Sequence, residues 1–474
     1  MEKYKLLGKN IGLLTISSFG TKLLSFFLVP LYTNVLTTTE YGIYDLLAAT
    51  VSLLLPILTV NIQDAVLRFT LEATEDRKEK ILRYGLQIIG VADLVVCLIV
   101  FLIAGLALIP VIAGYPVYFI LLFASTSLYQ LFSNYARGMD RINDVSVAGV
   151  ISAVVGIVLN IILLVLVKLG LEGYFIAAIA SSLLPAVYLA VRFRVWRSLN
   201  AGKLDVSFRR EMLLYSAPLI LNAIGWWINN TSDRYVVTGL CGIAANGIYS
   251  VGYKIPSILD TCQTIFNKAW VLSSVKEYDP EDKDGFFGRT YSVYNSLLVL
   301  LCALVILMTK PLASLLYAKE FYTAWQYVPF LTIAIVFGAL SGFMGGVFAA
   351  AKDSKLFGAS TLVGAGVNLA LDIALVYVMG PIGAAIATAV SYIVVWVIRY
   401  RGLKKHIDMR INLLRDIAGY ALLFVLTGLL FVSNTLLTAV LPVAVLGMIV
   451  VLYRREIAFL VTRIPVIIRR RPAR

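Results

Sequence analysis

The sequence predicts an all-α integral membrane protein of about fourteen transmembrane helices. Two six-helix lobes, related as parallel repeats around a central cavity, are followed by two extra C-terminal helices. Three observations predict this. Apolar residues make up 60% of the 474 residues and charged residues only 14%, against roughly 25% charged in ordinary soluble domains. Apolar runs of membrane-spanning length recur from end to end. Basic residues gather in every second connection between those runs.

A helix needs about 20 apolar residues to cross the hydrocarbon core. Fourteen runs qualify, at roughly 11–36, 42–70, 81–109, 117–136, 145–168, 173–196, 212–239, 245–272, 290–317, 325–350, 356–379, 383–399, 413–433 and 436–453. The last is weakly separated from the one before it, so twelve or thirteen crossings are alternatives. The first follows a basic start, MEKYKLLGKN. It exceeds the about 7–15 apolar residues of a signal peptide and lacks a small-residue cleavage site, so it is read as a retained helix.

Loop charge sets orientation. With the N-terminus in the cytoplasm, most of the 41 Lys and Arg fall in inside segments, including Arg77–Arg83, Arg192–Arg210, Arg399–Arg415 and the Arg-rich tail from Arg454. Outside connections hold Lys168, Lys310 and Lys319. The formal net charge of +14 is thus mostly topology, and a nucleic-acid partner is not expected. The reading divides the chain into a first lobe at 1–197, a basic cytoplasmic linker at 198–211 and a second lobe at 212–405. The two extra helices occupy 406–455 and a basic cytoplasmic tail 456–474.

An internal repeat supports two lobes of like orientation. Glu40-Tyr41-Gly42-Ile43-Tyr44 matches Ala245-Asn246-Gly247-Ile248-Tyr249. Gly156…Asn160 matches Gly364…Asn368, and Leu169…Gly173 matches Met379…Gly383, at nearly constant offsets. Two such bundles can rock about a cavity, which is alternating access.

Ionisable groups inside lipid cost about 2.5–3.5 kcal/mol each on insertion scales, so they usually face a cavity or a partner. Lys22, Arg68, Arg234, Lys254 and Lys268 all fall on the first, second, seventh and eighth helices, which are matched pairs in the repeat. Lys254, Ser257, Thr261, Thr264 and Lys268 share one helical face. Thr15, Ser18, Lys22 and Ser25 form a second polar line, Asp45, Ser52, Thr59 and Gln63 a third, and Asn61, Asp64 and Arg68 a fourth. Asn222, Trp226, Asn229, Asn230 and Asp233 lie close in phase on the seventh helix. These stripes predict a wet, cationic interior that binds an anionic head group and repels a cationic drug. Lys22, Arg68, Arg234, Lys254, Lys268, Asn229, Asn230 and Gln63 are therefore the candidate substrate-binding residues.

Simpler readings stand beside these. Asp64 and Arg68 are spaced i, i+4 and can pair with each other. Arg68 and Lys268 can snorkel to the inner interface. Asp233 and Arg234 can form a boundary pair near the outer one. Asp64, Asp93, Asp233, Asp260 and Asp372 are candidates for gating or for coupling to a proton or sodium ion. The alternative for the buried acids is a hydrogen bond between packed helices. No enzyme constellation appears. His406 is the single histidine, and neither a GxSxG nor a P-loop motif is present. No cofactor or metal site is expected, and the four cysteines read as buried apolar thiols.

At several of these residues the chain resembles the polysaccharide transporter branch, the Wzx-like oligosaccharide flippases, of the multidrug/oligosaccharidyl-lipid/polysaccharide exporter superfamily. The resemblance rests on Pro30-Leu-Tyr-Thr with Glu40-Tyr-Gly-Ile-Tyr44, on Asp233-Arg234 followed by Gly247-Ile-Tyr249, and on Gly383-Ala-Ala-Ile-Ala387. It implies fourteen helices, a V-shaped cation-lined cavity and transport of undecaprenyl-pyrophosphate-linked glycans to the outer leaflet of the bacterial cytoplasmic membrane, with both termini cytoplasmic. The partners it implies are that polyprenyl-linked glycan and membrane lipid, with a glycan polymerase and a chain-length regulator as further expectations. Many relatives carry Arg where Asn34 stands, which puts more weight on Lys22 and Arg234. Rival readings are a lipid II flippase, a multidrug/cation antiporter, an integral-membrane glycan polymerase or ligase, and a non-transporting scaffold of glycan assembly. An antiporter should show acids dominating the cavity. A polymerase or ligase needs a large outside loop, and every outside connection here is short.

Overall fold

Starts and breaks of helices organise the chain. The computed structural model describes residues 26–432 apart from 201 and 203, then 435–459 and 462. Among these, regular structure is entirely helical. Helix α1 (Val29–Val35) carries Pro30 in its first turn, where a missing N–H costs nothing. Helix α2 (Thr38–Leu58) begins at a capping box: the Thr37 hydroxyl accepts from Glu40 N (3.2 Å), and the Glu40 carboxylate accepts from Thr37 N (2.8 Å). The glutamate of the first repeat motif is therefore a helix-start signal.

The remaining helices of ten residues or more follow in order. They are α3 (Ile62–Leu71), α4 (Glu75–Gly105), α5 (Pro116–Gly138), α6 (Ile142–Asn160, continued by a π-helical segment Ile161–Leu166) and α7 (Gly170–Arg192). Next come α8 (Val206–Cys241), α9 (Ile243–Gly252), α10 (Pro256–Lys276), α11 (Phe286–Leu307) and α12 (Val328–Ala350). The chain ends with α13 (Ser354–Met379), α14 (Pro381–Leu403), α15 (Leu413–Leu430) and α16 (Thr435–Leu452). Ten described helices are long and apolar enough to cross a membrane, and Val440–Leu452 is a shorter apolar helix. The long α8 and the pair α9–α10 fall outside those ten. They carry the polar stripes that the sequence singles out.

The sequence reads 42–70 and 245–272 as continuous helices, and the structure interrupts both. The first breaks at Thr59–Asn61, where Val60 and Asn61 take positive φ values of 51° and 50°. Pro56 lies just upstream and cannot donate to the helix ladder. The second breaks at 253–255, with Pro256 opening α10. Lys254 therefore sits in a turn ahead of α10, and its polar line does not run along one unbroken helix.

Two compact units result. The first comprises the described part of Leu24–Thr238 with Gly242–Gly247; the second comprises Gly239–Cys241 and the described residues from Ile248 onward. The sequence assigns the seventh helix to the second lobe and leaves 198–211 as a linker. Instead α8 starts at Val206 and packs within the first unit as far as Thr238. Phe69 meets Phe208 and Tyr215 edge-on at one end. Towards the other, the Trp227 indole donates to Ala49 O (3.0 Å), and the Tyr235 and Thr50 hydroxyls are 2.5 Å apart.

The first unit holds two apolar cores. One gathers Ile62, Val66, Leu131, Phe132 and Met212; the other gathers Leu47, Leu55, Phe119, Phe123 and Phe175. A tyrosine cluster joins α1, α2 and α7: Tyr174 lies 4.7 Å from Tyr32 and 4.0 Å from Tyr44, ring centre to ring centre. In the second unit Trp270 is fully buried against Phe343 (4.1 Å) and donates to Phe343 O (2.8 Å). Gly346 leaves the space for that indole.

Candidate functional site

The break in the second membrane-spanning stretch builds a polar knot inside the first unit. Left-handed backbone turns Asn61 back into the bundle, where its amide donates to Asp64 Oδ2 (2.8 Å). Its carbonyl oxygen accepts from Gln63 Nε2 (2.8 Å), and Gln63 Oε1 accepts from the Thr59 hydroxyl (3.2 Å). From α5, Asn134 donates to the second Asp64 oxygen (3.2 Å). Thr59, Asn61 and Gln63 are buried. A broken helix lined by amides and a carboxylate is a common way to present polar groups at membrane depth. Gln63 and Asp64, both expected at the site, are brought together here. Asn61 lay on a predicted polar line, whereas Asn134 was missed because its partner lies 70 residues away in the chain.

The cations are placed less uniformly than the sequence suggests. Arg68 pairs with Glu72 one turn on and is half exposed, so the i, i+4 pair with Asp64 does not form. Arg234 on α8 pairs with Asp45 on α2 at 3.4 Å. These two guanidinium groups are therefore neutralised by acids. Lys268 on α10 is exposed and, among the described residues, takes part in no ion pair. Lys254 is half-buried. Lys22 lies outside the described residues.

The other candidates sit mostly in helix-packing roles. Asn229 and Asn230 donate to the carbonyls of Gly225 and Trp226, four residues back. Asp233 is buried and accepts from Arg234 N (2.9 Å). Asp93 accepts from the Ser127 hydroxyl of α5 (3.4 Å), the interhelical bond foreseen as its alternative. Asp260 accepts from Gln263 (2.9 Å). Asp372 is fully buried on α13. No group of three His, Cys, Asp or Glu among the described residues could hold a metal ion.

The two copies of the repeat motif meet each other. Gly42 opens α2 and Gly247 lies in α9. A Cβ on Gly42 would collide with Ile243 O, and one on Gly247 with Thr38 O. Both glycines are thus needed for close approach of two backbones. Asn246 donates towards Gly42 O (3.5 Å) and Asp45 Oδ2 (3.4 Å). The Asp45–Arg234 pair lies against the same crossing. Asp45 and Asn246 are the contributors that the sequence reading left unassigned. The available signals were the polar line that carries Asp45 and the matched motif that carries Asn246.

Residues 7–271 match the model of a family described as polysaccharide biosynthesis protein. No curated protein matches the sequence. Among solved structures, a lipid II flippase, MurJ, in an inward closed conformation is similar at TM-score 0.65 and 15% identity, covering 94% of this chain and 99% of that one. An inward-facing multidrug resistance MATE family transporter of the MOP superfamily is similar at TM-score 0.66 and 14% identity, covering 81% and 95%. A MOP superfamily transporter from Pyrococcus furiosus, described as having a binding pocket of reversed polarity, is similar at TM-score 0.53 and 12% identity, covering 85% of this chain and 96% of that one. At these identities the likeness shows the fold alone, an all-α bundle like those of the MOP superfamily structures, and the ten apolar helices make the chain a multi-pass membrane protein.

Proposed function

Since this chain belongs to the polysaccharide biosynthesis protein family, we propose that it is a flippase for undecaprenyl-pyrophosphate-linked oligosaccharide. It would carry O-antigen, capsule or exopolysaccharide repeat units to the outer leaflet of a bacterial cytoplasmic membrane by alternating access, with both termini inside. The observation that carries the reading is the family match over residues 7–271. The MOP-type fold and the basic residues on the polar helices support it.

The diphosphate of the cargo needs cations not already committed to acids. Arg68 and Arg234 are held by Glu72 and Asp45, so first contact falls to Lys268, which forms no ion pair among the described residues, with Lys254 and Lys22 kept as further contacts on their place in the sequence alone. Lys268 would attract the head group and the other two would hold it. A membrane potential negative inside favours outward movement of an anion by about 2.3 kcal/mol per charge per 100 mV. Asp64 in the helix break is the acid best arranged to take up a coupling proton or sodium ion. A glycan polymerase and a chain-length regulator would act on the delivered product.

The test is export in a strain lacking its oligosaccharide flippase. The wild-type chain should restore surface glycan. Lys22→Ala should abolish export while inserting normally, and Lys268→Gln should lower it about tenfold, the effect of about 1.4 kcal/mol of lost attraction. Unchanged export in both variants would refute the cationic-site reading. Rescue of a strain depleted of its lipid II flippase, without rescue of glycan export, would reassign the cargo to lipid II.

A further inference from the structure

The connection between α14 and α15 in the second unit forms a groove of about 810 Å³. Its cationic walls are Lys404 and Arg410, and its apolar ones include Tyr400, Met409 and Leu413. One acid, Asp408, also lines it. The groove is braced from beneath: Asp408 N donates to Pro280 O (2.9 Å), and the Tyr278 hydroxyl donates to His406 O (2.8 Å). The backbone of Arg410 lies against Gly288, where a side chain would not fit easily. Lys404 leans over the Tyr400 ring, 5.5 Å from its centre. Among the described residues neither Lys404 nor Arg410 forms an ion pair with an acid, and both are exposed.

Position selects the ligand. Both flanking helices are long and apolar enough to cross a membrane, so the groove lies at a membrane boundary. Directly beyond it, Leu414, Ile417, Ala421 and Phe424 are exposed on α15. Their i, i+3, i+7, i+10 spacing makes one apolar stripe leading away from the groove. A soluble anion would use the two cations and leave the stripe idle. A phospholipid uses both, with its phosphate among Lys404 and Arg410 and its acyl chains along the stripe. A choline head would place a second ammonium beside Lys404, whereas a glycerol head would not. We infer that this groove seats the head group of an anionic phospholipid, distinct from the transported cargo.

The test uses the full chain in nanodiscs of phosphatidylcholine containing spin-labelled phosphatidylglycerol, and reads the motionally restricted lipid fraction. Lys404→Gln with Arg410→Gln should weaken retention about thirtyfold, the combined effect of two surface cations. Arg194→Gln with Arg197→Gln removes equal charge from another basic connection and should leave retention unchanged. Should the double variant fail to insert, Lys404→Gln alone should still show about a fivefold loss. Equal losses in the two double variants would overturn the site in favour of bulk surface charge, and no loss in either would overturn it outright. Displacement by millimolar inorganic phosphate would overturn it in favour of a free-anion site.

Discussion

Val60 and Asn61 adopt a left-handed backbone that disfavours any side chain, and a β-branched one most. Such strain persists only where surrounding contacts over-determine it. Here those contacts are the bonds from Asn61 to Asp64 and Gln63. Asn61→Ala removes both and leaves the half-buried Asp64 carboxylate with one amide donor fewer. The expected cost is about 2 kcal/mol, read as a lower unfolding midpoint in detergent, with Asp64→Asn partly restoring it. A second residue acts outside the membrane. Asp353 caps α13, and its carboxyl is held below the usual range chiefly by the Leu356 N–H it accepts, with His406 adding to the effect. With the folded value below the unfolded one, its contribution is full above the ordinary carboxylate range and disappears as pH falls through it. Thermal unfolding followed downward through about pH 4 should show an acid loss that Asp353→Asn flattens.

Helices were the most legible level, because composition and run length are enough to reveal a lipid-facing segment. All ten apolar crossings coincide with predicted runs. The interruptions were less visible. Pro256 marks the second break plainly, but the first is carried by Val60 and Asn61 rather than at a glycine or proline, and propensity gives no warning of that. The candidate site was legible only in part. Polar residues could be placed on faces from spacing, yet which acid neutralises which cation depends on contacts across the chain, such as Asp45 with Arg234. The repeat motif shows the same limit. Sequence identified Gly42 and Gly247 as equivalent, and structure shows that they pack against each other's strands of backbone. Gly42→Ala or Gly247→Ala forces backbone apart and should cost about 3 kcal/mol. Reduced folded yield with the other motif intact would be the measurement, and a normal yield would show that the crossing can relax.

At the scale of the molecule, the division into units does not follow the repeat boundary. Helix α8 as far as Thr238 and the segment Gly242–Gly247 belong structurally with what precedes them. Circular permutation or splitting between residues 200 and 206 should therefore fail to yield a folded first unit. Protease resistance of the resulting fragments is the measurement. The Gly42–Gly247 crossing also has a consequence for biogenesis. About two hundred residues separate its partners, and a ribosome adding roughly 5–20 residues per second needs about 10–40 s to bridge them. Throughout that interval the early helices wait in the bilayer with their mating surface unfilled, a window in which a membrane insertase or chaperone could hold them.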